Sequence, residues 1–488
     1  MGKTQREDTG GAGAHRSGAL STNLGIELKT AACKPLAAMA VVLACALVVT
    51  VAGCQTRRSG GRLSTSQRAL NLASFDTVWT TIRDGHWDPQ LGGVDWQAAR
   101  DRLRPRMRQH RTMAAARATI SDLIGELGTS HFALIPTHPR RGRRRDGLSG
   151  ADQMLAKVAP AIQSAMQRVD RGDTGLVVRL LDDQPVVVRV FPDSPADVLG
   201  VRPGWVLAEL DGQTPETWAK RIARRVSDPA ARRLALTRMI QSRLLGRTNR
   251  KVSLRLLDGD DQPVELDVPF GVPRGRQTRY GLLPPIHVWT ESRTLAGGVG
   301  YFRMSAFLDP PSVMPALEKT VTTHQSAPGF ILDLRGNQGG ITTMARGIAG
   351  WFVNRHDRYL GRVEMRDLTL RLAIAPRPRP FAGPLAILVD EMSASTSEIL
   401  AAGLRDLGRA RVFGTATAAA VLPSLVKELP NGDRFQHAVA NYVSYGGSTL
   451  EGNGVMPNVE VTLTRDALLA GDDPVLQAAL AWIEGQSG

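Results

Sequence analysis

The sequence predicts an α/β fold: a βαβ core, an N-terminal helical region and an inserted β-rich unit. Three patterns carry this expectation. Over residues 282–488, apolar runs at 299–304, 329–334 and 385–389 are each followed by a segment of helical character. That alternation belongs to a parallel sheet covered by helices. Over 174–270, the runs 175–178 and 185–190 read as strands, with closing strands between 252 and 268. Over 68–136, apolar residues such as Phe75, Val78, Trp79 and Ile82 recur mostly at three- and four-residue steps, the spacing of one helix face.

Composition narrows the function classes. The chain has 488 residues, 42% of them hydrophobic and 22% charged, which suits roughly three packed domains. It excludes a disordered, collagenous or polytopic membrane protein. The net charge of +15 comes from 61 basic residues spread along the chain, so no nucleic-acid partner is expected. The densest cluster, Arg140, Arg141, Arg143, Arg144 and Arg145, lacks interleaved aromatics and reads as a solvated loop. All three cysteines, Cys33, Cys45 and Cys54, precede residue 55. No structural disulfide or cysteine zinc site is therefore expected in the folded part. Gly2-Lys3-Thr4 lacks the Gly-rich loop of a phosphate site. No metal or cofactor is expected.

Taken in order, residues 1–54 read as an export signal. An uncharged apolar run at 36–53 follows Lys34 and ends at Cys54. Val51-Ala52-Gly53-Cys54 resembles a bacterial lipoprotein box, which implies lipidation of Cys54 and a lipid-anchored location in the cell envelope, on the periplasmic side or the cell surface. An uncleaved anchor is the alternative. Residues 55–67 form a tether and 68–136 the helical region. Residues 137–173 are a connector with one amphipathic helix near 152–168.

Within 174–270, the segment 191–212 holds Ser194-Pro195-Ala196, a Gly200-to-Gly204 turn and a strand ending at Asp211-Gly212. It resembles the central part of a PDZ domain. The resemblance implies a PDZ-like domain that binds an extended peptide at an open sheet edge. A module that only docks on the core would look the same.

Two strand–helix junctions carry the chemistry. At 329–340 a buried apolar strand runs into Arg335-Gly336-Asn337-Gln338-Gly339-Gly340. Glycines there let backbone N–H groups face an anion at a helix start, although tight packing alone would also select them. At 388–400 a strand ends before Ser393-Ala394-Ser395-Thr396-Ser397-Glu398. Ser395 with Glu398 fits a capping box; the same helix terminus would equally favour an oxyanion beside a nucleophilic serine.

The pair of junctions, with 408–417, 451–458 and 473–480, resembles the C-terminal processing, or tail-specific, serine peptidase family over roughly residues 75–488. That resemblance implies a crotonase/Clp-protease-like βαβ core at 282–488 and Ser395 as nucleophile. The best-known branch pairs its serine with a lysine, yet the corresponding position here is Ala420. Lys427 is a displaced alternative. Glu126-Leu-Gly-Thr-Ser-His131 instead resembles the tricorn-protease branch. The resemblance implies His131 as general base, Ser130 as its orienting partner and Glu451 as the acid. It further implies an oxyanion hole from the N–H of Gly339 or Gly340 and of Thr396. Read alone, His131 could equally be a helix C-terminal histidine satisfying carbonyls. Asp333, Arg335 and Asp406 lie in family motifs and read as structural.

The expected activity is a serine endopeptidase acting on proteins or peptides. The expected base has the ordinary imidazole pKa of about 6.5, moved upward by Glu451. The alternatives are an inactive peptide-binding scaffold and a retinoid- or lipid-binding relative.

Overall fold

The computed structural model describes residues 62–137 and 171–486, apart from Arg225 and Ser227, and a short strand at Ile26–Leu28. The apolar run at 36–53, Cys54, the basic cluster at 140–145 and the expected helix near 152–168 lie outside these residues.

The core is a six-stranded sheet. Its order runs Thr290–Thr294, Gly300–Met304, Phe330–Asp333, Leu385–Val389, Arg411–Gly414, Val459–Glu460. The first pair is antiparallel and every later pair is parallel. Strands buried on both faces should read as continuous apolar runs. Phe330–Asp333 and Leu385–Val389 do, with every residue buried. Alternate side chains sort to opposite faces. Phe330, Leu332, Leu385 and Ile387 join the main core with the helices Pro310–Thr323, Thr342–Ala349 and Thr396–Asp406. Ile331, Ala386, Leu388 and Phe413 instead meet Val475, Ala479 and Ile483 of the final helix, Pro474–Glu484.

A second sheet of Leu368–Ala373, Tyr359–Glu364 and Asn441–Ser444 lies beside the core, and Ile26–Leu28 pairs along its outer edge. The N-terminal region forms three helices, Thr65–Gly85, Trp96–Gln109 and Met113–Gly125, each capped by a side chain from Ser64, Asp95 or Thr112. The region does not end as helix. Ala133–Ile135 is a strand paired with Arg434–Ala438, because Phe435 and Leu429 of the core belong to the same apolar cluster as the three helices. This pairing brings residues 129–131 to the core.

The β-rich unit is a five-stranded antiparallel sheet spanning Leu176 to Pro269. Leu176–Leu181 is one of its edges. The unit also contains two helices that the strand pattern did not announce, Pro215–Ala223 and Pro229–Arg243. The second packs across the edge strand. Gln241 Oε1 accepts from Val178 N at 3.1 Å, and its Nε2 donates to Leu176 O at 2.8 Å.

Charged groups lock the core to its final helix. Tyr301 Oη donates to Asp333, whose carboxylate also takes Arg303 and Arg335; Arg335 in turn reaches Asp473, the cap of the last helix. Burial would raise the Asp333 pKa, but the two guanidinium groups outweigh it and hold the carboxyl well below the usual range. Removing one partner of a buried pair typically costs about 3–5 kcal/mol. Asp333→Ala should therefore lower unfolding stability in urea by about that much, and a loss under about 1 kcal/mol would show that the cluster does not hold the core.

Candidate active site

The parallel pairing of Phe330–Asp333 with Leu385–Val389 sets two turns side by side at the strands' carboxyl ends, where open α/β sheets hold their ligands. Asn337 joins them. Its side chain donates to Met304 O and accepts the Gly339 N–H, and its carbonyl accepts Ala394 N and Ser397 Oγ. Asp390 adds a second staple, with Oδ1 accepting from Gly336 N at 2.7 Å and from Ser393 Oγ at 3.1 Å.

Ser395 caps the helix Thr396–Asp406 with φ 58° and ψ −117°. A non-glycine residue with such angles is strained and persists only where its surroundings fix it. Here Ser395 N–H is shared between Glu398 Oε2 at 2.8 Å and Ala420 O at 2.9 Å. Gly339 lies against it; a Cβ there would stand 2.7 Å from Ser395 Cβ and 2.8 Å from Thr396 N. Glu398 makes its arm of the capping box, whereas Ser395 Oγ is buried without a hydrogen-bond partner. The cap therefore does not use the hydroxyl, which leaves it available for chemistry.

Glu398 is fully buried and does more than cap. It also accepts from Thr417 Oγ1, Ala419 N and Ala420 N. Burial pushes its pKa up to about 7 against those hydrogen bonds. The segment 417–420 is thereby fixed beside Ser395, with Ala420 O accepting the Ser395 N–H. Lys427, the displaced alternative, is exposed on the strand Ser424–Glu428 and its Nζ donates to Thr81 Oγ1.

The histidine end is a relay. Glu451 Oε1 accepts Ser130 N at 2.7 Å, and Oε2 accepts Ser130 Oγ at 2.9 Å and Val421 N at 3.0 Å. Ser130 Oγ lies 2.6 Å from His131 Nδ1. Because the hydroxyl gives its proton to the carboxylate, it must accept from Nδ1–H. Nε2 is then left with its lone pair, the form a general base needs. His131 is also a positive-φ residue, at 61°. Ser130, His131, Arg238, Gln338, Ala394 and Ala420 line one cavity of about 180 Å³. His131 thus faces the turn that bears Ser395, without a hydrogen bond to Ser395 Oγ. Such bonds often tighten only when substrate is bound.

The oxyanion donors divide. Gly339 N–H is spent on Asn337 Oδ1 at 2.9 Å. Gly340 N–H and Thr396 N–H have no partner among the described residues, and they are the pair available to an oxyanion. Among the described residues, no group of three or more His, Cys, Asp or Glu is placed to hold a metal ion. Cys54 lies outside the described residues. Asp406 sits away from the site, accepting Gly446 N.

Sequence reasoning assigned no role to Asn337, Asp390 or Arg238. Asn337 stood inside the Gly-rich motif, so its signal was present. Arg238 had none, being one of several arginines on an unannounced helix. It changes the electrostatics. Burial, then the Arg238 charge, lower the His131 pKa to about 3, opposite to the upward shift expected from Glu451. The Glu451 carboxyl is itself raised by burial.

Comparisons with known proteins point to a family of peptidases. Residues 298–461 match the peptidase family S41 model and residues 71–125 the tricorn protease C1 domain. The chain is 25% identical to Tricorn protease homolog 1 of Streptomyces coelicolor over 83% of its own length, spanning 34% of that protein. It is 25% identical to Carboxyl-terminal-processing peptidase 3, chloroplastic, of Arabidopsis thaliana, over 87% of the chain and 75% of the relative. Against the Carboxyl-terminal-processing protease of Synechocystis it is 30% identical, over 62% and 66%. The fold is shared with solved structures of the photosystem II D1 C-terminal processing protease (TM-score 0.51, 19% identity, covering 84% of this chain and 99% of that one) and of mature CPAF with lactacystin (0.56, 15%, 87% and 98%).

The His131 ring should stay neutral to well below the ordinary imidazole value. Histidine NMR titration of the folded protein checks this, and a midpoint at or above pH 6.5 would contradict the burial described.

Proposed function

We propose, from the premise that this chain carries a serine-type peptidase domain of family S41, that it is an endopeptidase with Ser395 as nucleophile and His131 as general base. The observation that carries the reading is the Glu451–Ser130–His131 relay facing the turn on which Ser395 Oγ is unpartnered. In the first step Ser395 Oγ attacks the scissile carbonyl and its proton passes to His131 Nε2. The tetrahedral oxyanion takes the N–H groups of Gly340 and Thr396; one such donor is typically worth 10²–10³ in rate. His131 then protonates the leaving amine, and water, activated by the same imidazole, releases the acyl group from Ser395. Glu451 and Ser130 hold the tautomer and orient the ring. The inactive-scaffold alternative has no comparable support.

The unit spanning 174–270 is the proposed peptide-binding module, PDZ-like in its sequence motif. An incoming strand at Leu176–Leu181 would need the same backbone groups that Gln241 now holds, so the peptide must displace that side chain.

Ser395→Ala should abolish peptide hydrolysis and fluorophosphonate labelling. His131→Ala should lose on the order of 10³ in kcat, within the 10²–10⁴ typical of a general base. Lys427→Ala should stay within a few-fold of wild type. Because a base must be unprotonated to act, a lowered His131 pKa puts the acid limb of kcat/KM below the ordinary imidazole value. A dead Lys427→Ala beside an active His131→Ala would replace this assignment with a Ser–Lys pair.

We further propose that the mature protein is anchored in a bacterial envelope by lipid on Cys54. The support is the apolar run ending at Val51-Ala52-Gly53-Cys54. Wild type should partition with membranes and Cys54→Ala should release the protein or stall its maturation. Mass spectrometry finding an unmodified Cys54 in the membrane fraction would overturn the idea.

A further inference from the structure

A second cavity, of about 230 Å³, lies between the five-stranded unit and the core. It is bounded by Gly336 and Gln338 of the Gly-rich turn, and shares Arg238 and Gln338 with the cavity that holds His131. Arg238 and Gln338 thus stand between this cavity and the one that faces the turn bearing Ser395. The volume is below the roughly 300–1,000 Å³ of sites that enclose a drug-sized ligand, so it suits one side chain or a chain end.

The charge in its wall is unbalanced. Among the described residues, Arg171, Arg238, Arg274 and His287 face it, against one acid, Asp173. Arg238 Nε is buried with no partner among those residues. Burial lowers the Arg238 pKa to about 10, countered in part by Glu398. Burial lowers the Arg171 pKa as well. Arg274 is held in place by stacking 4.8 Å from the Trp289 ring centre and 5.4 Å from that of Phe191, with Glu291 at 3.9 Å. His287 is held low by burial and then by Arg171, so it adds a donor and little charge. Asp173 is engaged with Gly175 N–H at 2.8 Å, and burial raises its pKa. It does not neutralise Arg171 and Arg238, and Arg274 shares Glu291 with Arg189 and Arg293.

A desolvated cation without its partner is unfavourable unless an anion completes it. Guanidinium forks match a carboxylate in plane and can bind it with two parallel hydrogen bonds. We propose that this cavity is a subsite for the carboxylate of an Asp or Glu side chain of the bound peptide near the scissile bond. The inference rests on the peptidase reading and adds the substrate class to it: peptides presenting an acid beside the cleaved bond. Arg171 and Arg274 bind the carboxylate. Arg238 serves both cavities, and a bound carboxylate would also shield His131 from its charge.

The test uses the full chain and internally quenched peptides in matched pairs. One series places Glu or Gln at each of three positions on either side of the cleaved bond; a second compares a free C-terminus with its amide. Each variant is also labelled with a fluorophosphonate, which reports Ser395 independently of the subsite. The expected result is one register with kcat/KM on the order of tenfold or more above its uncharged twin. A preference confined to the terminal pair assigns the cavity to the chain end and overturns the side-chain subsite. Arg171→Gln and Arg274→Gln should each pull that ratio towards one, and Arg171→Lys should keep part of it. Should a variant not fold, the wild-type peptide pairs still decide. Ratios near one in every pair, with Ser395 labelled and peptides cleaved, overturn the subsite and leave the peptidase reading intact. A ratio unchanged in both glutamine variants also overturns it. Absence of both labelling and cleavage overturns the two together.

Discussion

Everything at the site depends on the parallel pairing of Phe330–Asp333 with Leu385–Val389. Parallel strands need a crossover, and this one passes through the helix Thr342–Ala349 and the second sheet. Both strands are buried on both faces, so a one-residue slip would exchange every side chain between two different cores. The fixed register, Asp333 opposite Leu388, brings the two following turns level. Leu334 N then bonds to Leu388 O, and Ala394 N to Asn337 O. Residues 54 and 57 positions apart in sequence become one rim. Side chains of the second turn, Asp390, Ser393, Thr396 and Ser397, also satisfy backbone groups of the first.

That rim tolerates strain at the two residues proposed as nucleophile and base. Ser395 and His131 both have positive φ without being glycine, each a cost of about 1–3 kcal/mol. Ser395 is fixed by a shared N–H and by the missing side chain of Gly339. His131 is fixed by Ser130 and, through it, by Glu451. The two glutamates have parallel tasks. Glu398 gathers the 417–420 segment around the nucleophile, and Glu451 gathers Ser130 and Val421 around the base. Both are buried carboxyls surrounded by donors, which offset part of the burial that raises their pKa values.

The α/β core was legible in the sequence because doubly buried strands leave long apolar runs and the turns after them carry glycine. The N-terminal helical region was legible through its spacing. Three things were not. The strand Ala133–Ile135 is too short to show a period, and it forms because Arg434–Ala438 offers an edge. The helix Pro229–Arg243 carries arginine at 232, 233, 238 and 243, which blurs any apolar stripe; it forms against the edge strand of the five-stranded unit. The direction of the His131 shift was misjudged for the same reason. Glu451 was visible as an acid in a motif, but it acts through Ser130 and does not touch the ring. The groups that set the shift are burial and Arg238, and neither has a local signature.

The base and the charge that influences it therefore come from different parts of the fold. His131 follows the N-terminal helices, whereas Arg238 is carried by the five-stranded unit. The folded His131 pKa lies below its unfolded value. The unfolded chain then binds the extra proton, and this group's contribution to stability is present above about pH 6.5 and is lost as pH falls below it. A general base gains from the same arrangement only up to a point. A ring held too low is always free to accept a proton but is a weaker acceptor, since proton transfer is most effective when the base pKa lies near working pH. Burial is the larger cause and Arg238 the second. A peptide that dries the cavity further lowers the His131 pKa, whereas one that brings an anion to Arg238 raises it. Burial and the charge of Arg238 thus both bear on the proposed base, and through Arg238 the five-stranded unit contributes to its surroundings.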